Sequence, residues 1–178
     1  RKLTSDEQFL QLERVEAVES VEMNEQDMLD VVESAIDQVQ IQAQQRDITL
    51  RFEYDPDQEV WVLGNNELLE RLVVNLLTNA VKYSHEGSSV DVTLYAQDNQ
   101  VGCEVRDRGV GIPPEFQERL FDRFSRASTS GGARTRGAGM GLRFVKVVTE
   151  RHGGEVRVHS VVSEGSRFTL LLPRIELA

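Results

Sequence analysis

The stretch from Asn66 to Tyr83 reads as one long helix with two dissimilar sides, and that contrast limits the folds open to the chain. Leu69, Leu72, Val73, Leu76, Leu77 and Ala80 recur at helical spacing and must be buried against another layer. At 100° per residue, Asn79 stands about 40° and Lys82 about −20° from Asn75, so the three share one narrow face. Two amides and an amine on such a helix are costly unless something fills the space between them. A hard cation with phosphate oxygens would satisfy them, because an amide oxygen can ligate Mg²⁺ and a lysine ammonium acts as a point charge on phosphate. A solvated polar stripe is the competing reading.

The rest of the chain fits one globular domain. Its 178 residues are 39% hydrophobic and 28% charged, enough for a core that buries roughly 70% of the unfolded surface. The single cysteine, Cys103, excludes a disulfide framework and a multi-cysteine metal site, and its alternating surroundings predict a small buried residue in a strand. No run approaches the 18 or so apolar residues of a membrane helix, and there is no signal-like start. These features predict a soluble, cytoplasmic piece of a longer protein. The net charge of −10 is uneven. Residues 1–59 carry sixteen acidic and five basic side chains; residues 60–178 carry fourteen and fifteen. The second part is therefore not hostile to an anion. No basic stripe interleaved with aromatics appears, which argues against nucleic acid.

Residues 1–22 lack Gly and Pro and predict a helix in need of a partner. After Asn24, a suitable N-cap, Met28, Leu29, Val32, Ala35, Ile36, Val39 and Ala43 predict an amphipathic helix to about Arg46. Ile48 to Tyr54 and Val60 to Leu63 alternate as strands around Asp55-Pro56-Asp57, and Gly64-Asn65 opens the long helix. Val90 to Ala96 and Val101 to Arg106 form a hairpin across Asp98-Asn99. From Asp107 to Gly141 the chain turns Gly-, Arg- and Ser-rich, with a short helical piece around Pro114 to Phe124. A helix from about Met140 to His152, capped by Gly153-Gly154, and strands Gly154 to Val162 and Ser166 to Leu172 complete the pattern.

Two glycine clusters carry chemistry. Asp107-Arg108-Gly109-Val110-Gly111-Ile112-Pro113 sets a carboxylate at a strand end before glycines that let backbone approach a ligand. Such a carboxylate can accept from an exocyclic amine such as that of adenine. Gly137-Ala138-Gly139-Met140-Gly141-Leu142 precedes a helix whose free N–H groups and dipole form an anion site, and a triphosphate suits it. Either cluster alone could merely shape a loop.

In this order, the segments strongly resemble the histidine kinase branch of the GHKL, or Bergerat-fold, ATP-binding superfamily. Asn75-Leu-Leu-Thr-Asn79-Ala-Val-Lys82-Tyr83-Ser looks like its N box, Asp107-Arg-Gly109-Val-Gly111 like the G1 box, and Phe121-Asp-Arg-Phe124 like the F box. Gly137-Ala-Gly139-Met-Gly141-Leu is similar to the G2 box and Gly165-Ser-Arg-Phe168 to the last glycine box. The resemblance implies an α/β (α+β) two-layer sandwich, with a mixed, mainly antiparallel sheet of about five strands packed on one face by about three helices. It implies ATP with Mg²⁺: Asn79 ligating the metal with help from Asn75, Lys82 on phosphate, Tyr83 lining the pocket and Asp107 reading the adenine amine. Gly109, Gly111 and Ile112 would also belong to the nucleotide site. Gly137, Gly139 and Gly141, with Met140 and Leu142 beside them, would receive phosphates, and Ser166 would keep the hydroxyl of a more frequent threonine. Residues 125–136 would be an ATP lid with Phe121 and Phe124 anchoring its stem. Arg123, Arg126, Arg134 and Arg136 are the candidates to reach the terminal phosphate. Met140 stands where leucine is frequent.

ATPases of the same superfamily carry a glutamate base four residues before the metal-binding asparagine. Here that residue is Asn75, whose amide cannot take a proton at neutral pH. The resemblance thus implies phosphoryl transfer to a histidine on a separate dimerisation domain, in a homodimeric parent that passes the group to a response regulator. His85, His152 and His159 lack the helical His-Glu setting of an acceptor. Residues 1–22 resemble the tail of the dimerisation helix, or a linker helix, before a catalytic domain over 23–178. A non-catalytic nucleotide-responsive module and a standalone ATPase are the alternatives.

Overall fold

The computed structural model describes residues 22–122 and 138–177, with residues 138–140 by their backbone alone. Strand β1 (Asn24–Asp27) leads into α1 (Met28–Gln45), followed by β2 (Thr49–Tyr54), β3 (Trp61–Gly64) and α2 (Asn66–Tyr83). Next come β4 (Ser89–Gln97), β5 (Gln100–Arg106), the single turn α3 (Pro114–Gln117), α4 (Ala138–Arg151), β6 (Glu155–Val161) and β7 (Gly165–Pro173).

The main sheet has five strands in the order β2-β4-β5-β7-β6. Only β2 and β4 run parallel; the remaining pairs are antiparallel. A parallel pair needs a long crossover, which β3 and α2 supply. The hairpins close tightly: Asp98 takes φ 55° between β4 and β5, a left-handed conformation that aspartate tolerates.

Alternation decides which face is covered. Val90, Val92 and Leu94 of β4, Val101, Cys103 and Val105 of β5, and Phe168, Leu170 and Leu172 of β7 are all buried. They meet Leu69, Leu72, Val73, Leu76 and Leu77 of α2 and Val145 and Val148 of α4 in one core. The opposite face carries Tyr95, Glu104, Arg157, Arg167 and Thr169 around a shallow concavity of about 540 Å³. Tyr95 lies across Gly102, where a Cβ would come within 2.2 Å of the ring. The layers are those expected: one mixed sheet with its long helices on a single side.

Several details differ from the sequence reading. Asn24 does not cap α1; it pairs with Gly64 in a separate two-stranded sheet of β1 and β3. Asp27 is the cap, its Oδ1 accepting from the Leu29 N–H at 3.0 Å. Four polar residues, Asn-Glu-Gln-Asp, give no period-two signal, so β1 was invisible without its partner. Helix α4 begins at Ala138 rather than Met140, which places Gly139 and Gly141 inside its first turns. The helical piece after Pro113 is only Pro114–Gln117, continued as turns to Phe121. Cys103 is a buried residue of β5 as expected, with burial pushing its thiol to about 12. Among the described residues no helix is long and apolar enough to cross a membrane. The helix expected over residues 1–22 lies almost wholly outside the described residues.

Candidate functional site

The site begins with two helices packed against one another. Helix α2 starts at Asn65, whose side chain accepts from the Leu68 N–H at 3.0 Å. Beside that start lies the end of α4, where His152 is buried. Its Nε2 accepts from the Asn65 N–H at 3.1 Å, and its Nδ1 meets the Val148 carbonyl at 2.7 Å. The tautomer is thereby fixed with the proton on Nδ1, and burial lowers the ring pKa below its ordinary value. With the start of one helix at the end of the other, the pair runs antiparallel. The polar face of α2 therefore meets the glycine-rich start of α4: a Cβ on Gly141 would stand 4.0 Å from Asn75 Cγ. A side chain there would fill the gap between amide and helix start. Asn75 and Asn79 are half-buried and Lys82 is exposed, its Nζ 5.9 Å from the Tyr83 ring centroid.

The second component is Asp107, 3% exposed at the end of β5. Its Oδ1 accepts from the Gly109 N–H at 3.1 Å and the Ser166 N–H at 3.2 Å. Desolvation nevertheless raises its pKa to about 6, against the lowering effect of those two N–H groups and of His85. Both backbone donors converge on one oxygen, so the other can accept from a ligand. Gly109 has to be glycine, since a Cβ would lie 2.0 Å from the Tyr83 carbonyl oxygen. That contact seats Asp107 against the end of α2, where Ser84 and Gly109 form a β-bridge.

The loop after Asp107 is held by groups that the sequence did not single out. Arg108 turns away from the carboxylate to bond the Ser89 carbonyl and hydroxyl, and Asp91 at 2.6 Å. The Ile112 N–H donates to Ser160 Oγ at 2.8 Å. Gln117 Nε2 donates to the carbonyls of Ile112 and Ser160. Phe121 packs edge-on to Phe168 at 6.4 Å between centroids and joins the core. Neither Ser160 nor Gln117 stood out in sequence, because a lone polar residue in an alternating strand or a one-turn helix has no distinguishing pattern.

Of the residues expected at the site, the structure brings Asn75 against Gly141, and Asp107 against Gly109 and Ser166. Leu142 is buried in the core, Ser166 is 7% exposed, and Ile112 is half-buried beside the core. Gly111 takes φ +72°, and a Cβ there would lie 2.2 Å from the Val161 carbonyl oxygen. Arg123, Phe124, Gly137 and the expected lid over 125–136, with Arg126, Arg134 and Arg136, fall outside the described residues. For Gly139 and Met140 only the helical backbone is described. His85 and His159 are exposed.

An α/β sandwich with an amide-bearing helix, a glycine-rich helix start and a buried carboxylate at one end of its sheet defines a nucleotide-binding module. Residues 64–176 match the family described as histidine kinase-, DNA gyrase B- and HSP90-like ATPase, and the chain belongs to that family. It is accordingly an ATP-binding domain, and its relatives are sensor histidine kinases. The sensor-like histidine kinase SenX3 of Mycobacterium tuberculosis is 37% identical over 169 residues, 94% of this chain and 41% of that protein. The sensor histidine kinase RppB of Synechocystis is 41% identical over 115 residues, 65% of this chain and 25% of that protein. The chain thus spans less than half the length of these relatives. Among solved structures, the mycobacterial sensor histidine kinase MprB is 31% identical with a TM-score of 0.73, over 87% of this chain and all of that one. Full-length ShkA in complex with AMPPNP superposes with a TM-score of 0.82 at 24% identity, over 96% of this chain and 35% of that one, a likeness of fold.

Proposed function

We propose that the domain binds Mg-ATP between α2, α4 and Asp107 and donates the γ-phosphoryl group to a histidine on a separate acceptor domain. The observation that carries this reading is the seating of the Asn75 amide beside the glycine start of α4, with Asp107 buried at the far side of the end of α2. The donor set suits the ligand. Asp107 accepts from the exocyclic amine of adenine, and the backbone N–H groups opening α4 receive phosphate oxygens. The Asn79 amide oxygen, aided by Asn75, suits Mg²⁺, which when bound neutralises charge on the phosphates. Lys82 adds a positive charge at the same end of the helix.

Phosphoryl transfer depends mainly on positioning and charge neutralisation. The bond from the bridging oxygen to the γ-phosphorus breaks as an imidazole nitrogen of the acceptor bonds to that phosphorus, and ADP leaves. An imidazole presents its own lone pair, so no carboxylate base is needed at position 75. Water is a poorer nucleophile without a base, and Asn75 cannot remove its proton, which favours transfer over hydrolysis. By analogy with the relatives, the acceptor belongs to the dimerisation helices of a homodimeric parent, whose phosphohistidine feeds a response regulator. Residues 1–22 would then be the tail of that helix, and residues 125–136 the lid over the nucleotide.

Incubation with labelled ATP and the parent's acceptor-helix domain should label one histidine of that domain. Nucleotide binding without transfer would reject the kinase reading and leave a nucleotide-responsive module in its place. Steady phosphate release unaffected by Asn75→Ala would indicate an ATPase instead.

A further inference from the structure

Ser160, on the outer strand β6, lies in none of the segments that touch ATP in the reading above, yet its hydroxyl joins two of them. Ser160 Oγ accepts from the Ile112 N–H at 2.8 Å, lies 2.8 Å from Ser166 Oγ, and donates to the Gly165 carbonyl at 3.1 Å. One hydroxyl has one proton and two lone pairs. All three contacts are made together only if the Ser160 proton goes to Gly165 and the Ser166 hydroxyl donates to Ser160. Ser166 is thus held from both sides: its hydroxyl by Ser160, its backbone by Asp107. The Asp107 N–H donates to the Ser166 carbonyl at 2.8 Å, and the Ser166 N–H donates back to Asp107 Oδ1. The turn is pressed on the aspartate, since a Cβ on Gly165 would lie 2.2 Å from the Asp107 carbonyl oxygen. Gln117 adds a second tie by bonding the Ser160 and Ile112 carbonyls with one amide group.

We infer that Ser160 is a positioning residue for base recognition: through Ser166 and the Ile112 loop it fixes the direction of the Asp107 carboxylate towards the exocyclic amine of the nucleotide. Ser160 touches no ligand itself. Its removal leaves the Ile112 N–H without its acceptor and lets the Ser166 hydroxyl turn, so Asp107 loses the rigid frame on which an amine-reading geometry depends. Packing alone would predict a different outcome, a uniform loss for every nucleotide.

This inference rests on the reading of Asp107 as the base-recognising carboxylate, and the test separates the two. Affinities for ADP and for purine riboside diphosphate, which lacks the exocyclic amine, are measured by calorimetry on the 178-residue chain and on Ser160→Ala, Ser160→Thr and Ser160→Val. Thr and Val have the same shape and both suit a strand, so they separate the hydroxyl from packing. The wild type should favour ADP, and Ser160→Thr should preserve that preference. Ser160→Ala and Ser160→Val should bind ADP about tenfold more weakly, the effect of one lost half-buried hydrogen bond, while binding the amine-free analogue within about twofold of wild type. Equal losses for both nucleotides, or no loss, would overturn the role of Ser160. A wild type indifferent to the amine would overturn the reading of Asp107, and the inference with it.

Discussion

Asp107→Asn should move stability and affinity in opposite directions. The carboxyl is 3% exposed, and its pKa is raised from 3.8 to about 6. Its ionised form is therefore disfavoured in the folded state by about 3 kcal/mol. The sign follows from linkage. A raised folded pKa contributes stability that is fully present below pH 3.8 and is lost as the pH rises through about 6. Asparagine keeps the shape and an oxygen for the Gly109 and Ser166 N–H groups but carries no charge to desolvate. At pH 7.5 the variant should melt higher by roughly 6–12 °C, taking 2–4 °C per kcal/mol for a domain of this size. That gap should close as the pH is lowered towards 4, where the wild-type carboxyl is itself protonated. In binding, the asparagine NH₂ would face the adenine amine, donor against donor, at a loss of roughly 2–4 kcal/mol, or about 30- to 1,000-fold. Thermal melts across pH and calorimetry with ADP read the two effects separately. A variant no more stable than wild type at pH 7.5 would refute the burial argument, and unchanged affinity would remove Asp107 from the site.

Three further outcomes can be measured. His152→Ala should cost about 2–4 kcal/mol in urea unfolding, because it leaves a cavity and an unpaired Asn65 N–H; with its folded pKa lowered, wild-type stability should also fall as the pH drops below 6.5. Gly109→Ala should cost roughly 2–4 kcal/mol and abolish nucleotide binding, since its Cβ meets backbone rather than a movable side chain; a folded, ADP-binding variant would contradict the 2.0 Å contact. Asn79→Ala should remove the enhancement of ATP affinity by Mg²⁺ while leaving metal-free binding within about threefold of wild type; an undiminished Mg²⁺ effect would reassign the metal.

The fold was readable where a segment's burial is periodic in sequence. Helix α2 announced itself by a wide apolar arc with Asn65 at its start, and β4 by alternation of Val90, Val92 and Leu94 with polar residues. Asp107 stood out in sequence as a carboxylate at a strand end before glycines, and the structure buries it on the Gly109 and Ser166 N–H groups. What escaped was made by pairing across distance. β1 exists only because β3 binds it; in sequence it is four polar residues. Ser160 and Gln117 matter through partners in other elements, so their environment, and not their neighbours in the chain, gives them a role. His152 was legible as a helix end, but its bond to Asn65, 87 residues away, was not.

That bond has a mechanical consequence. It ties α2 to α4 at the end remote from the Asn75–Gly141 contact, beside the apolar packing of Leu69, Leu72 and Val73 with Val145 and Val148. Asn75 lies ten residues beyond Asn65, about 15 Å at 1.5 Å per residue. A rotation of only about 4° about that end would displace the amide by about 1 Å. His152, remote from the Asn75 amide, thus helps fix how closely that amide and the start of α4 are held.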